Sequence, residues 1–255
     1  MSFHFVEMVN KLMKSRGKGE EMLHFINELQ SHRTDPGVFN PWKDYSEHLD
    51  IAPDAPLIRT EHLTRYLQQR KTTAEYIFVA EALGYQGGRF SGIPMTSERI
   101  MTGTHRDVGC QHVFKGEPGQ RTSHPESDYP GFKKSWRKGG FSEPTASIVW
   151  KTLLENNIDA YKVIFWNVFP FHPYHEEKGL LSNRPPRVEE LRAGIEYLRS
   201  FIEYCPPGIK MVGIGKYAEE KLKEYGMKSI SIRHPSYGGA PEFKKGCRKL
   251  FATIP

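Results

Sequence analysis

Three sets of residues in this chain could handle a flat, polar ligand, and each follows an apolar run. The stretch 79–96, VAEALGYQGGRFSGIPMT, passes from a short apolar segment into a loop with four glycines, Gly84, Gly87, Gly88 and Gly92. Glycine permits positive φ and leaves backbone amides uncovered, so such a loop suits close approach to a ligand. It lacks the Gly-Lys-Ser/Thr ending of a phosphate loop, and its spacing does not fit a dinucleotide fingerprint. Asn167 carries one carbonyl and one amide, and so can pair at once with a donor and an acceptor on the edge of a nucleobase. An asparagine at a strand end is more often a turn or helix cap; here Pro170 and Pro173 follow and fix a rigid loop instead. His234, between Arg233 and Pro235, has an extended backbone that lets its ring project into a cleft. Its imidazole could donate to an oxygen that gains negative charge as a bond breaks, although a structural role is the commoner one for any single histidine among eleven. Ser236, Tyr237, Gly238 and Gly239 add a hydroxyl, an aromatic ring and pliable backbone, suited to holding a phosphate or wedging a duplex. His172, His175 and Glu176 have metal-ligand chemistry without the helical HExxH spacing, so no metal site is expected.

The elements that must position these residues follow from hydrophobic periodicity. Residues 1–70 read as a helical N-terminal part, with Phe5, Met8, Val9, Leu12 and Met13 on one face and Met22, Leu23, Phe25, Ile26 and Leu29 on another. Residues 34–56 contain Pro36, Pro41, Pro53 and Pro56 and read as an irregular connection, followed by a short helix over 61–69. Tyr76-Ile77-Phe78-Val79-Ala80 is a continuous run of strand formers. A polar tract, 101–140, reads as a long insertion, within which Phe132-Lys133-Lys134-Ser135-Trp136-Arg137-Lys138 offers cations for phosphates and Trp136 for base stacking. Ser142 as cap and Pro144 in the first turn predict a helix over 145–155. Strands over 161–166, 210–215 and 228–232 alternate with helices over 187–204 and 216–225. This alternation predicts an α/β fold, three-layer α/β/α around a central, mainly parallel four-stranded sheet. Right-handed crossovers place all strand ends on one edge, so the glycine loop, Asn167 and His234 should converge there.

Composition narrows the classes. With 255 residues and 12% aromatics the chain can build a large core, and we read it as one domain with an α/β core over 76–251. The formal charge of +6 favours a polyanionic partner. Cys110, Cys205 and Cys247 are odd in number and far apart, which argues for a reducing compartment and against both a disulfide framework and a four-cysteine cluster. Neither a signal-length apolar run nor a membrane-length one is present. The expectation is a soluble intracellular protein of the cytoplasm or a prokaryotic nucleoid, with no cofactor and no membrane association; protein partners are not specified by the sequence.

With these residues in place, the chain resembles the uracil-DNA glycosylase superfamily over roughly residues 76–251. AEALGYQGGRFSGIPMTSE is similar in length and glycine placement to the GMNPG and TGVPF motif of the single-strand-selective branch, and its opening resembles the GEAPG of the iron–sulfur branch. Asn167 in FWNVFPFHP matches the asparagine that reads uracil, and His234-Pro235-Ser236 matches the histidine motif. The resemblance implies a monofunctional glycosylase that flips uracil or another deaminated base out of DNA and hydrolyses its N-glycosidic bond. It implies Gly84, Tyr85 and Met95 beside the base, Asn167 reading its edge, and His234 stabilising the negative charge that develops on it. Ser91, Pro94, Ser236, Tyr237 and Gly238 would face DNA. Three positions depart from the pattern. Ala82 stands where several families carry a water-positioning Asp or Asn, Leu83 replaces a proline, and Met95 replaces a stacking aromatic. Glu81 is the nearest replacement acid. Ala82 and Met95 keep a second reading open, a DNA-binding protein that retains the base pocket without hydrolysis. A third, a hydrolase or transferase of free nucleosides, leaves the basic surface and wedge loop without a use.

Overall fold

The computed structural model describes residues 18–252; the face carrying Phe5 to Met13 lies outside them. Helix α1 (Lys18–Ser31) is followed by a two-residue strand β1 (Val38–Phe39), helix α2 (Ala55–Gln68) and strand β2 (Tyr76–Ala82). Two one-turn helices, α3 (Gly88–Ser91) and α4 (Glu98–Met101), interrupt the glycine loop and its continuation. The one-turn α5 (Lys134–Arg137) precedes α6 (Pro144–Glu155), β3 (Val163–Phe169), β4 (His172–Pro173), α7 (Val188–Glu203), β5 (Lys210–Ile214), α8 (Lys216–Glu224), β6 (Ile230–Ile232) and α9 (Ala240–Ala252).

The main sheet has the order β3-β2-β5-β6, parallel throughout, and β1 pairs separately with β4. Parallel strands covered on both faces must be apolar continuously, which is why these segments carry so little alternation. Helices α1, α7 and α8 cover one face: Phe201 stacks on Trp166 at 4.5 Å, Phe25 lies 5.7 Å from the same indole, and a methyl at Gly213 would lie 3.3 Å from Glu219 Cα. Helices α6 and α9 cover the other through Trp150 on Phe165 and Phe251 on Phe78. The open edge of β3 is closed by α2 and the turn that follows it: Tyr66 Oη accepts from Phe165 N at 2.9 Å and Arg70 Nε, just beyond the helix, donates to Val163 O at 3.1 Å. Those bonds occupy groups that would otherwise pair with another strand.

Several local expectations are corrected. Helix α2 begins at Ala55, six residues before the expected start, because Pro56 occupies its first turn, where a missing N–H costs nothing. β3 runs through Asn167 to Phe169, so Asn167 lies within the strand. Glu143, not Ser142, caps α6, without a side-chain cap bond. The 101–140 insertion is tied down along its length. Glu98 accepts from the amides of Thr122 (2.8 Å), Ser123 (2.9 Å) and Phe141 (3.0 Å), while Arg99 reaches the carbonyls of Gly140 and Ser135 and Arg121 those of Trp136 and Arg137. Trp136 is buried, stacked 4.3 Å from Phe141 in a small cluster with Leu49 and Phe90, so it is not available for base stacking. Its neighbours Lys133, Lys134 and Lys138 remain exposed.

The glycine loop is fixed from behind by one buried carboxylate. Asp50 Oδ1 accepts from Arg59 Nη1 of α2 at 2.9 Å and from Arg89 Nη1 of α3 at 2.8 Å, and Oδ2 accepts from Ser46 N at 2.9 Å. All three charged side chains are fully buried. Burial alone would raise the Asp50 carboxyl, but the guanidiniums of Arg89 and Arg59 outweigh it and hold the group below its ordinary value. Arg89 Nε and Nη2 find no hydrogen-bond acceptor, and its guanidinium instead lies over Phe39 at 4.3 Å and Phe90 at 4.0 Å. Asp50→Ala leaves two uncompensated buried cations, so chemical denaturation should show a loss of about 3–5 kcal/mol. Because the folded-state value is depressed, this contribution is complete above the unfolded carboxylate value of about 4 and is lost as pH falls through the folded one. An Asp50→Ala protein as stable as the parent at pH 7 would contradict the clamp.

Candidate active site

The C-terminal ends of the four strands share one edge, where open α/β sheets hold their ligands. Asn167 is opposite Ala80 in the β2–β3 register, and Phe169 is opposite Ala82. Alternation places Asn167, Ala80 and Ala82 on the face covered by α6 and α9, the side on which Trp150 meets Phe165. The Asn167 side chain is buried, yet neither Oδ1 nor Nδ2 has a hydrogen-bond partner. Leaving such a group unpaired within the protein costs about 1–3 kcal/mol, and a carboxamide so placed has the chemistry to pair with a group that both donates and accepts.

At the other end of the edge, β5 leads into Gly215, whose φ of +86° and close approach exclude a side chain: a methyl there would lie 2.9 Å from His234 Cβ. His234 Nδ1 accepts from Ser236 N at 3.1 Å and lies 2.7 Å from Ser236 Oγ. An acceptor Nδ1 puts the single proton of the neutral ring on Nε2. Burial, with a smaller push from Arg233, lowers the ring's pKa and keeps it neutral. The site thus presents a neutral N–H donor, suited to stabilising an oxygen that acquires charge.

Between them lies the glycine loop. Tyr85 N donates to Asn183 Oδ1 at 3.0 Å, and the Tyr85 ring meets Trp136 edge-on at 6.3 Å, which sets the exposed lysines around α5 beside the loop.

A family model described as the uracil DNA glycosylase superfamily matches residues 109–252, more than half of the chain, a span that holds Asn167 and His234. The chain belongs to this superfamily. Its fold is similar to the crystal structure of wild-type SMUG2 from Pedobacter heparinus, with a TM-score of 0.55 and 13% identity over 92% of this chain and 95% of that one. No curated protein matches the sequence.

The superfamily's edge is therefore present, but not every residue expected to serve it is brought there. Alternation turns Glu81 to the face opposite Asn167, the α8 side, where its charge is felt by Tyr217; burial raises its carboxyl. Ser91 and Pro94 are buried, so neither is presented to DNA: the Ser91 hydroxyl bonds Ile93 O at 3.0 Å and Thr96 O at 2.6 Å, bracing the loop from within. Met95, at φ +48°, is also buried, and its carbonyl accepts from Trp150 Nε1 at 3.1 Å. Ser236 is engaged by His234, whereas Tyr237 is 98% exposed at φ +51° and followed by Gly238 at φ +75°. His172 has both ring nitrogens beside carbonyls, those of Leu83 and Leu180, each at 3.1 Å, and links the glycine loop to the 180 segment. Among the described residues no cluster of three or more His, Cys, Asp or Glu could hold a metal ion, and no helix is long and apolar enough to cross a membrane.

Two residues at the loop escaped the sequence reading. Asn183 belongs to no motif. Glu143 reads as a helix start, yet its carboxyl lies against the loop: a methyl at Gly87 would lie 2.7 Å from Glu143 Cδ, and one at Gly84 would lie 3.0 Å from Oε1.

The imidazole assignment has a direct check. In a histidine NMR titration His234 should appear as the Nε2–H tautomer with a pKa below the ordinary 6.5, neutral throughout the physiological range. A doubly protonated ring at pH 7 would contradict it.

Proposed function

We propose that this protein is a monofunctional DNA glycosylase that extracts uracil, or a related deaminated base, and hydrolyses its N-glycosidic bond to leave an abasic site. The observation that carries the reading is the buried, wholly unpaired carboxamide of Asn167 at the carboxyl edge of a superfamily sheet. For uracil the complementary groups are N3–H, which donates to Oδ1, and O4, which accepts from Nδ2. Gly84 and Tyr85 lie against the base, and His234 Nε2–H stabilises charge developing at O2 as the sugar becomes oxocarbenium-like. Extruding the base costs a few kcal/mol, about what stacking and edge hydrogen bonds return. The exposed Tyr237 is the wedge that fills the vacated stack, and the lysines at 133, 134 and 138 meet phosphates.

Incubation with uracil-containing single- and double-stranded oligonucleotides, followed by alkali, tests this. The parent protein should yield alkali-labile strands; His234→Ala should slow cleavage by about 10²–10³-fold, and Asn167→Asp should alter base preference. Tight, salt-sensitive binding with no strand made labile on uracil, hypoxanthine or xanthine would instead favour the non-catalytic base-pocket reading that Ala82 supports. Tyr237→Ala should weaken cleavage of duplex more than of single strands, because only a duplex needs a wedge. Equal loss on both, or none, would remove Tyr237 from that role.

A further inference from the structure

The end of β2 carries no acid on the face that Asn167 occupies: the side chains there are Ala80 and Ala82. Glu81 faces the other way. A carboxyl nevertheless reaches the loop that leaves β2, from Glu143, the cap of α6, whose Trp150 packs on the same face of the sheet two helical turns further on. The carboxyl of Glu143 lies against Gly84 and Gly87, the second of which could not carry a methyl without colliding with it. Although the residue as a whole is only partly buried, its Oε2 is shut off from solvent and has no hydrogen-bond partner. Its backbone is well held, since the Glu143 carbonyl accepts from Ser147 N and Ser147 Oγ, each at 3.0 Å. Glu143 thus has a fixed stem and an unengaged oxygen. Buried acids with an oxygen free of protein partners, set beside a ligand-facing loop, are candidates for chemistry.

We propose that Glu143 takes the proton from the attacking water, supplying from α6 the carboxylate that β2 lacks at Ala82. This role rests on the glycosylase reading. The oxygen of water bonds to C1′ of the deoxyribose while the C1′–N bond breaks and its electron pair leaves with the base. The proton released by water goes to the Glu143 carboxylate. The departing base anion, held by His234 Nε2–H, is neutralised by a proton from solvent, and Glu143 returns its own proton to solvent before the next turnover.

Burial raises the Glu143 carboxyl to about 7, within the range where a carboxylate is an effective base at neutral pH. Burial is the one cause. The titratable groups on the elements around it leave this value alone. In the glycine loop Tyr85 is raised by burial; His105 bonds Ser147 rather than the carboxyl; His234 is held neutral beyond β5; and Lys151 and Lys244 are paired with Asp107 and Glu155.

The test is single-turnover cleavage of a uracil oligonucleotide across pH 5–9, with binding followed separately by fluorescence anisotropy. The parent rate should climb with pH through about 7 and then level. Glu143→Gln, nearly isosteric, should bind the oligonucleotide as the parent does, cleave it about 10²-fold more slowly and lose the inflection. Glu143→Asp should keep an inflection at reduced rate. Adding Ala82→Asp to Glu143→Gln should recover about tenfold of the lost rate. A Glu143→Gln protein that cleaves at the parent rate, or slowly but with the same inflection, overturns the role, while slow cleavage by His234→Ala in the same assay leaves the glycosylase reading standing. A parent protein that cleaves no base from any substrate overturns both.

Discussion

The carboxylate of Asp50 is the point on which this architecture turns. It is shared by a guanidinium from α2 and another from α3, so the helix that closes the edge of the sheet and the glycine loop are held by the same oxygen, Oδ1. A buried ion cluster is rarely favoured over an apolar one of the same volume, and here Arg89 goes further, with two nitrogens left to the faces of aromatic rings. What the arrangement provides is direction. Arg89 follows Gly87 and Gly88 immediately, and fixing its head group fixes the path of a loop that glycines alone would leave unconstrained. Thr122 Oγ1, bonded to Phe90 O at 2.6 Å, extends the same restraint to the inserted segment.

Helix α6 supplies the complementary wall. Its indole at Trp150 reaches up to Met95 O, its side faces the sheet beside Phe165, and its capping residue, Glu143, brings a carboxyl to the glycines. Loop, sheet face and acid are therefore held against one element, the kind of fixed geometry that the proposed hydrolysis would need. The opposite face of the sheet, with α1, α7 and α8, packs Phe25 and Phe201 around Trp166, and it is to this side that Glu81 turns.

Much of this was legible in the sequence, for reasons that also mark the limits. Buried parallel strands are continuous apolar runs, so the four strands and the edge bearing Asn167 and His234 could be placed from pattern alone. Glu143 could not, because the signal of a helix start is the same whether its side chain caps the helix or turns away to a distant loop. Trp136 shows a related ambiguity: a ring among lysines has one composition and two possible fates, and Phe141 and Phe90 decide between them by packing. The polar tract reads only as a long insertion because its anchors, Glu98, Arg99 and Arg121, bind backbone amides and carbonyls, which have no sequence signature. Ser91 was misread for the same reason, its partners being the carbonyls of its own loop. Pro56 reads as the end of an irregular connection, yet it lies in the first turn of α2.

The unpaired carboxamide of Asn167 also bears on how stable this protein is. Folding buries both of its polar atoms without giving either a partner from the protein, a cost of about 1–3 kcal/mol that an apolar residue of similar shape would not carry. On the proposed reading a base would supply those bonds. Occupancy and folding would then be linked equilibria, and resistance to unfolding would become a measure of whether the pocket is filled.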